Sequence, residues 1–150
     1  MTTTAKPTIV IIHGGWHVPE SFEKLTNALM SVGFEVHVPR LPSVNEARPP
    51  NADLSSDTVL VRSYVEGLVQ AGRTVVALMH SYGGQVGTNA LYGLGLETRS
   101  AQGLKGGVSH LIYMAAYAVS QGAMMDKVKE FGHTDIVPIV FGFVEDGSVP

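Results

Sequence analysis

The sequence predicts an α/β fold: a parallel sheet with helices on both of its faces. Short apolar runs alternate along the chain with longer stretches of helical periodicity. The runs at 8–12 and 74–79 are continuous rather than apolar at every second position, as strands covered on both faces require. The 17 glycines of the 150 residues gather beside them, as expected where many tight turns join strand to helix.

The elements follow in order. Residues 8–12, TIVII, are β-branched throughout and predict the first strand, which the glycine pair of HGGWH at 13–17 breaks. Phe22, Leu25, Leu29 and Met30 recur at helical spacing over 19–30, with Pro19 suited to a first turn. Gly33 stops that helix, and residues 34–38 predict a second strand closed by Pro39. Residues 40–55, with Pro42, Pro49 and Pro50, predict a long loop. A second helix is expected over 57–70, ending at Gly72, and a third strand over 74–79. A glycine-rich turn leads to a third helix over about 82–94. A polar connection at 97–107 then precedes a fourth strand over 110–115. Strand and helix in strict alternation imply right-handed crossovers between parallel strands. Residues 119–150 leave this rhythm. The division expected is a core over 1–118 and the start of a cap or lid over 119–150.

Composition narrows the class of partner. Hydrophobic residues at 45% against 15% charged allow a large core and exclude a disordered chain. A net charge of −3 leaves no basic face for nucleic acid. No cysteine is present, so disulfides and thiolate metal sites are out. No apolar run reaches membrane-spanning length, and no signal-peptide pattern opens the chain. A soluble cytoplasmic protein is the expectation.

The chemistry centres on HSYGG at 80–84, between a strand and a helix. A serine on so sharp a turn is held in an uncommon backbone conformation, with its hydroxyl projecting from the strand's C-terminal end. The free N–H groups of the following helix face the same point. Gly83 and Gly84 allow helix and strand the close approach that this needs. The plain alternative is a serine capping a helix after a buried strand.

The turn Met79-His80-Ser81-Tyr82-Gly83 resembles the G-x-S-x-G nucleophile elbow of the α/β-hydrolase superfamily, with Met79 where the pattern has glycine. His13-Gly14-Gly15-Trp16 resembles that superfamily's H-G-x loop after the first strand. The closest likeness is to a branch of small hydrolases that includes methyl-salicylate-type esterases and hydroxynitrile lyases, with fungal and bacterial relatives. The resemblance implies that Ser81 is the nucleophile. It implies an oxyanion hole from the backbone N–H of Tyr82 and that of Gly15, with Trp16 the next candidate. Such donors stabilise the tetrahedral intermediate, and losing one costs roughly 2.7–4 kcal/mol. The superfamily's strand order places the first and third strands side by side, which would bring both motifs together. His13 and Trp16, with Met124 and Phe131 of the cap, are the expected substrate contacts.

Triad order in the superfamily is serine, acid, histidine. On this likeness the chain is the N-terminal part of a hydrolase. The acid and histidine are then expected from the remainder of the polypeptide or a companion fragment. His133 and Asp135 follow Ser81 but no strand delivers either, and Asp126 and Asp146 read as solvated cap residues. His13 is read as bracing the oxyanion loop and His80 as packing beneath the elbow. His13 and His17 stand four apart, but the glycines between them spoil helical metal geometry, and no metal or cofactor is expected.

The expected reaction is hydrolysis of an ester or lactone of a small, largely apolar substrate through an acyl-enzyme. A lyase or cyclase on the same fold, or a catalytically inert homologue, are the rival readings. A dinucleotide-binding domain would need G-x-G-x-x-G after the first strand, and the sequence there does not match.

Overall fold

The computed structural model of the protein describes residues 5–120 and 130. Four strands, β1 (Thr8–Ile12), β2 (Glu35–His37), β3 (Thr74–His80) and β4 (Gly107–Met114), form one parallel sheet in the order β2-β1-β3-β4. β1 is buried along its whole length because both faces of the sheet are covered there. Val10, Ile12, Val75, Ala77 and Met79 form one core cluster with Val61, Val65, Val69, Val86 and Ala90. Ile9 and Ile11 form the other with Phe22, packed against by Leu25, Leu29 and Leu78.

The helices supply those partners. A 3-10 turn (Pro19–Phe22) runs into α1 (Glu23–Ser31), which covers the second face. The long α2 (Leu54–Gln70) and the short α3 (Gly83–Ala90) cover the first. Gly33 and Gly72 stop α1 and α2 as the sequence predicts. Each has a positive φ, +88° and +82°, and the next residue's N–H donates back to Leu29 and Leu68 respectively.

Several elements differ from the sequence expectation. α2 begins at Leu54 rather than 57, because Asp53 caps it by accepting from the Ser56 N–H at 2.9 Å. Within the expected loop a 3-10 turn forms at Pro42–Val44. The third helix closes at Ala90, and the supposed polar connection holds a further helix, α4 (Leu96–Ala101). Tertiary bonds favour α4: Arg99 reaches the carbonyls of Gly106, Lys105 and Val69. β4 starts at Gly107, three residues early, because Gly107 and Val108 pair with Thr74 and Val75. No helix among the described residues is long and apolar enough to cross a membrane.

Candidate active site

β3 ends at His80, and the chain turns through Ser81 and Tyr82 into α3. Ser81 has φ +49°, a left-handed conformation that costs a non-glycine residue about 1–3 kcal/mol. Its carbonyl accepts the Gly84 N–H at 3.0 Å, and its own N–H donates to Met114 at 3.4 Å. The glycines make the turn possible. A Cβ on Gly83 would overlap the Ile12 carbonyl, and one on Gly84 would lie 2.9 Å from the Ala116 Cβ. α3 therefore lies directly against the ends of β1 and β3.

The loop after β1 meets this turn. A Cβ on Gly14 would lie 2.8 Å from His80 Nδ1 and 3.2 Å from Ser81 Cβ, and one on Gly15 would lie 3.8 Å from Tyr82 Cβ. The two sequence motifs are thus in contact, as neighbouring strands β1 and β3 require.

Two imidazoles fix the loop's peptide groups. His13 is fully buried, and its Nε2 accepts the Leu41 N–H at 3.2 Å. That leaves the proton on Nδ1, which donates to the Gly14 carbonyl at 2.9 Å. His17 Nδ1 lies 2.8 Å from the Gly15 carbonyl, a pure acceptor, and so donates to it. Each carbonyl shares a planar peptide with the next residue's N–H. Holding the Gly14 and Gly15 carbonyls therefore aims the N–H groups of Gly15 and Trp16 the opposite way. Trp16 itself has φ +58° and an exposed ring.

Tyr82 is anchored at its far end. Its hydroxyl donates to Asp57 Oδ2 at 2.8 Å, and Asp57 also accepts the N–H and hydroxyl of Ser43, at 2.8 and 2.6 Å. Burial, then the bond to and charge of Asp57, push the Tyr82 phenol up. Burial, opposed only in part by the Gly14 bond and the Asp57 charge, holds His13 below the usual imidazole value. Burial and then the neighbouring His17 do the same to His80. The His80 ring meets His17 and Phe22 edge-on, with centroids 4.9 and 5.8 Å away, and its buried Nδ1 has no hydrogen-bond partner among the described residues.

A family model described as the alpha/beta hydrolase family matches residues 9–147. The chain belongs to the alpha/beta hydrolase family. Among curated relatives of this hydrolase-family chain, an alpha/beta hydrolase of Aspergillus novofumigatus is 31% identical over 117 residues, covering 78% of this chain and 46% of the relative. A probable hydrolase of a Phoma species is 34% identical over 113 residues, covering 74% and 43%. The chain thus spans less than half the length of these curated relatives.

Among solved structures, similar folds include an extracellular alpha/beta-hydrolase of a Paenibacillus species, described as sharing structural and functional homology with tobacco salicylic acid binding protein 2. It has TM-score 0.60 and 19% identity, over 85% of this chain and 50% of that one. An esterase of Exiguobacterium antarcticum has TM-score 0.55 and 18% identity, over 91% and 52%. A pyrethroid hydrolase of Sphingobium faniae has TM-score 0.53 and 22% identity, over 73% and 40%. At these identities the likeness is one of fold.

Ser81, Tyr82, Gly15, Trp16 and His13 of this family member come together on two adjacent turns. Met124, Phe131, His133, Asp126, Asp135 and Asp146 lie outside the described residues. Among the described residues no group of three or more acidic or histidine side chains is placed to hold a metal. Sequence reasoning passed over Asp57 and Ser43. The signal was there: the buried stripe of α2 is Asp57, Val61, Val65 and Val69, an aspartate at four-residue spacing in a line of valines.

Proposed function

We propose that the intact protein is a serine hydrolase that cleaves an ester or lactone of a small, largely apolar substrate through an acyl-enzyme. The observation that carries this reading is the positive φ of Ser81, at a strand-to-helix turn against which the Gly14–Gly15 loop is packed. The Ser81 hydroxyl oxygen attacks the substrate carbonyl carbon and its proton passes to a histidine. The oxyanion that forms accepts from the backbone N–H groups of Tyr82 and Gly15, with the Trp16 N–H as the alternative second donor. Collapse expels the alcohol, which takes the proton from histidine, and water then releases the acid by the same route in reverse.

The histidine and its acid partner are proposed to come from the remainder of the polypeptide or from a companion fragment. The length of the relatives supports this. So does β4, where Leu111, Ile112 and Met114 are exposed apolar residues on the last strand of the sheet. Trp16, with Met124 and Phe131, is proposed to contact the substrate's apolar part. His13, with no solvent exposure and both ring nitrogens bonded, serves in this proposal to hold the loop.

The test is labelling of the intact protein with a fluorophosphonate, followed by peptide mass spectrometry. Ser81 should carry the adduct, and Ser81→Ala should abolish hydrolysis of p-nitrophenyl esters. An active preparation labelled at another serine would overturn the proposal. Residues 1–150 alone are expected to hydrolyse these esters no faster than their Ser81→Ala variant.

A further inference from the structure

The two peptide groups proposed to hold the oxyanion are both tied to one short segment distant in sequence. At one end of it, the Leu41 N–H fixes His13, whose Nδ1–H holds the Gly14 carbonyl and so aims the Gly15 N–H. Two residues on, Ser43 donates twice to Asp57, which holds the Tyr82 hydroxyl. Asp57 has no solvent exposure and sits in an otherwise apolar stripe. A carboxylate in such a place is costly, and a residue chosen for packing alone would be apolar. Three hydrogen bonds from neutral donors satisfy it, and one of them comes from the residue next to the nucleophile.

We infer that Asp57 is a positioning residue for the oxyanion hole. It holds Tyr82 by its hydroxyl so that the Tyr82 backbone N–H faces the developing negative charge. It also couples that donor to the Leu41–Ser43 segment that fixes the other. This inference rests on the serine-hydrolase reading above.

The experiment uses the intact enzyme with p-nitrophenyl butyrate and compares Tyr82→Phe, Asp57→Asn, the double variant and Ser81→Ala. Tyr82→Phe keeps the ring and removes one of the three bonds, so it reports even where Asp57→Asn fails to fold. Each single variant should lower kcat by about ten- to a hundredfold while KM changes by less than about threefold. Affinity for phenylboronic acid, whose serine adduct is tetrahedral, should fall in step with kcat. The double variant should be no slower than Asp57→Asn, since both act through one contact. Wild-type kcat and boronate affinity in Tyr82→Phe, or losses that multiply in the double variant, would overturn the inference while Ser81→Ala stays inactive. Activity surviving in Ser81→Ala would overturn the serine-hydrolase reading itself, and this inference with it.

Discussion

Met79 and Gly87 share one space: the Met79 sulfur lies where a Cβ on Gly87 would have to be. The pattern that this elbow resembles has glycine two residues before the serine, because α3 crosses β3 so closely there. Here the larger residue stands on the strand, fully buried, and the missing volume is returned by a glycine on the helix. The departure at Met79 therefore leaves the strand-to-helix turn intact.

That exchange predicts a pair of linked stabilities. Gly87→Ala in the intact protein should cost about 1–3 kcal/mol through overpacking. Met79→Ala alone should cost about 2–5 kcal/mol by emptying a buried site. The double variant should lose less than the two single losses added together, because the methyl at 87 then enters the vacated space. Urea denaturation measures all three. Losses that simply add in the double variant would show that the two positions do not share the volume.

Gly83 makes the opposite case. Its added Cβ would meet the Ile12 backbone carbonyl, with the His13 carbonyl 2.8 Å away, and neither can swing aside as a side chain can. Gly83→Ala should destabilise more than Gly87→Ala, and no side-chain substitution nearby should restore it. Equal midpoints for the two variants in the same denaturation series would refute this.

At Gly14 the expected damage is to reactivity. A methyl group there would press on the His80 ring and the Ser81 Cβ, at 2.8 and 3.2 Å. Gly14→Ala should slow fluorophosphonate labelling of Ser81 by about tenfold, a size expected for sub-ångström misplacement. An unchanged labelling rate would mean that the loop and the elbow tolerate separation.

His13 gives the fold a pH dependence of defined sign. Its value in the fold is lowered from 6.5 by burial, so the unfolded chain binds the proton more readily. The contribution is fully present above 6.5 and is lost as pH falls below it. The geometry agrees, because a proton on Nε2 would face the Leu41 N–H. Thermal unfolding of the intact protein should show a midpoint that falls on acidification from pH 7 to 5. In His13→Asn the midpoint should be lower at pH 7 but flatter across this range. An equal slope in both proteins would remove His13 from the account.

The alternation of apolar runs and helical stretches was enough to read the sheet, its parallel sense and the helices on both faces, because burial on two sides leaves its mark on consecutive residues. The elbow was legible for a similar reason. Ser81, Gly83 and Gly84 are close in sequence, and a strained turn between strand and helix is a local event. Gly14 and Gly15 were legible as a turn, and the family likeness paired them with Ser81. What the sequence alone left hidden depends on residues far apart in the chain. α4 is held by the Arg99 side chain reaching the Val69 carbonyl and those of a turn, not by bonds among its own six residues alone. The early start of β4 comes from pairing with β3. The Ser43–Asp57–Tyr82 chain and the Leu41–His13 bond join segments that only the packing of α2 and the loop after β2 brings together. A side-chain hydrogen bond leaves no periodicity behind it, so the sequence determined where the strained serine stands, and only the tertiary structure decided what holds the groups around it.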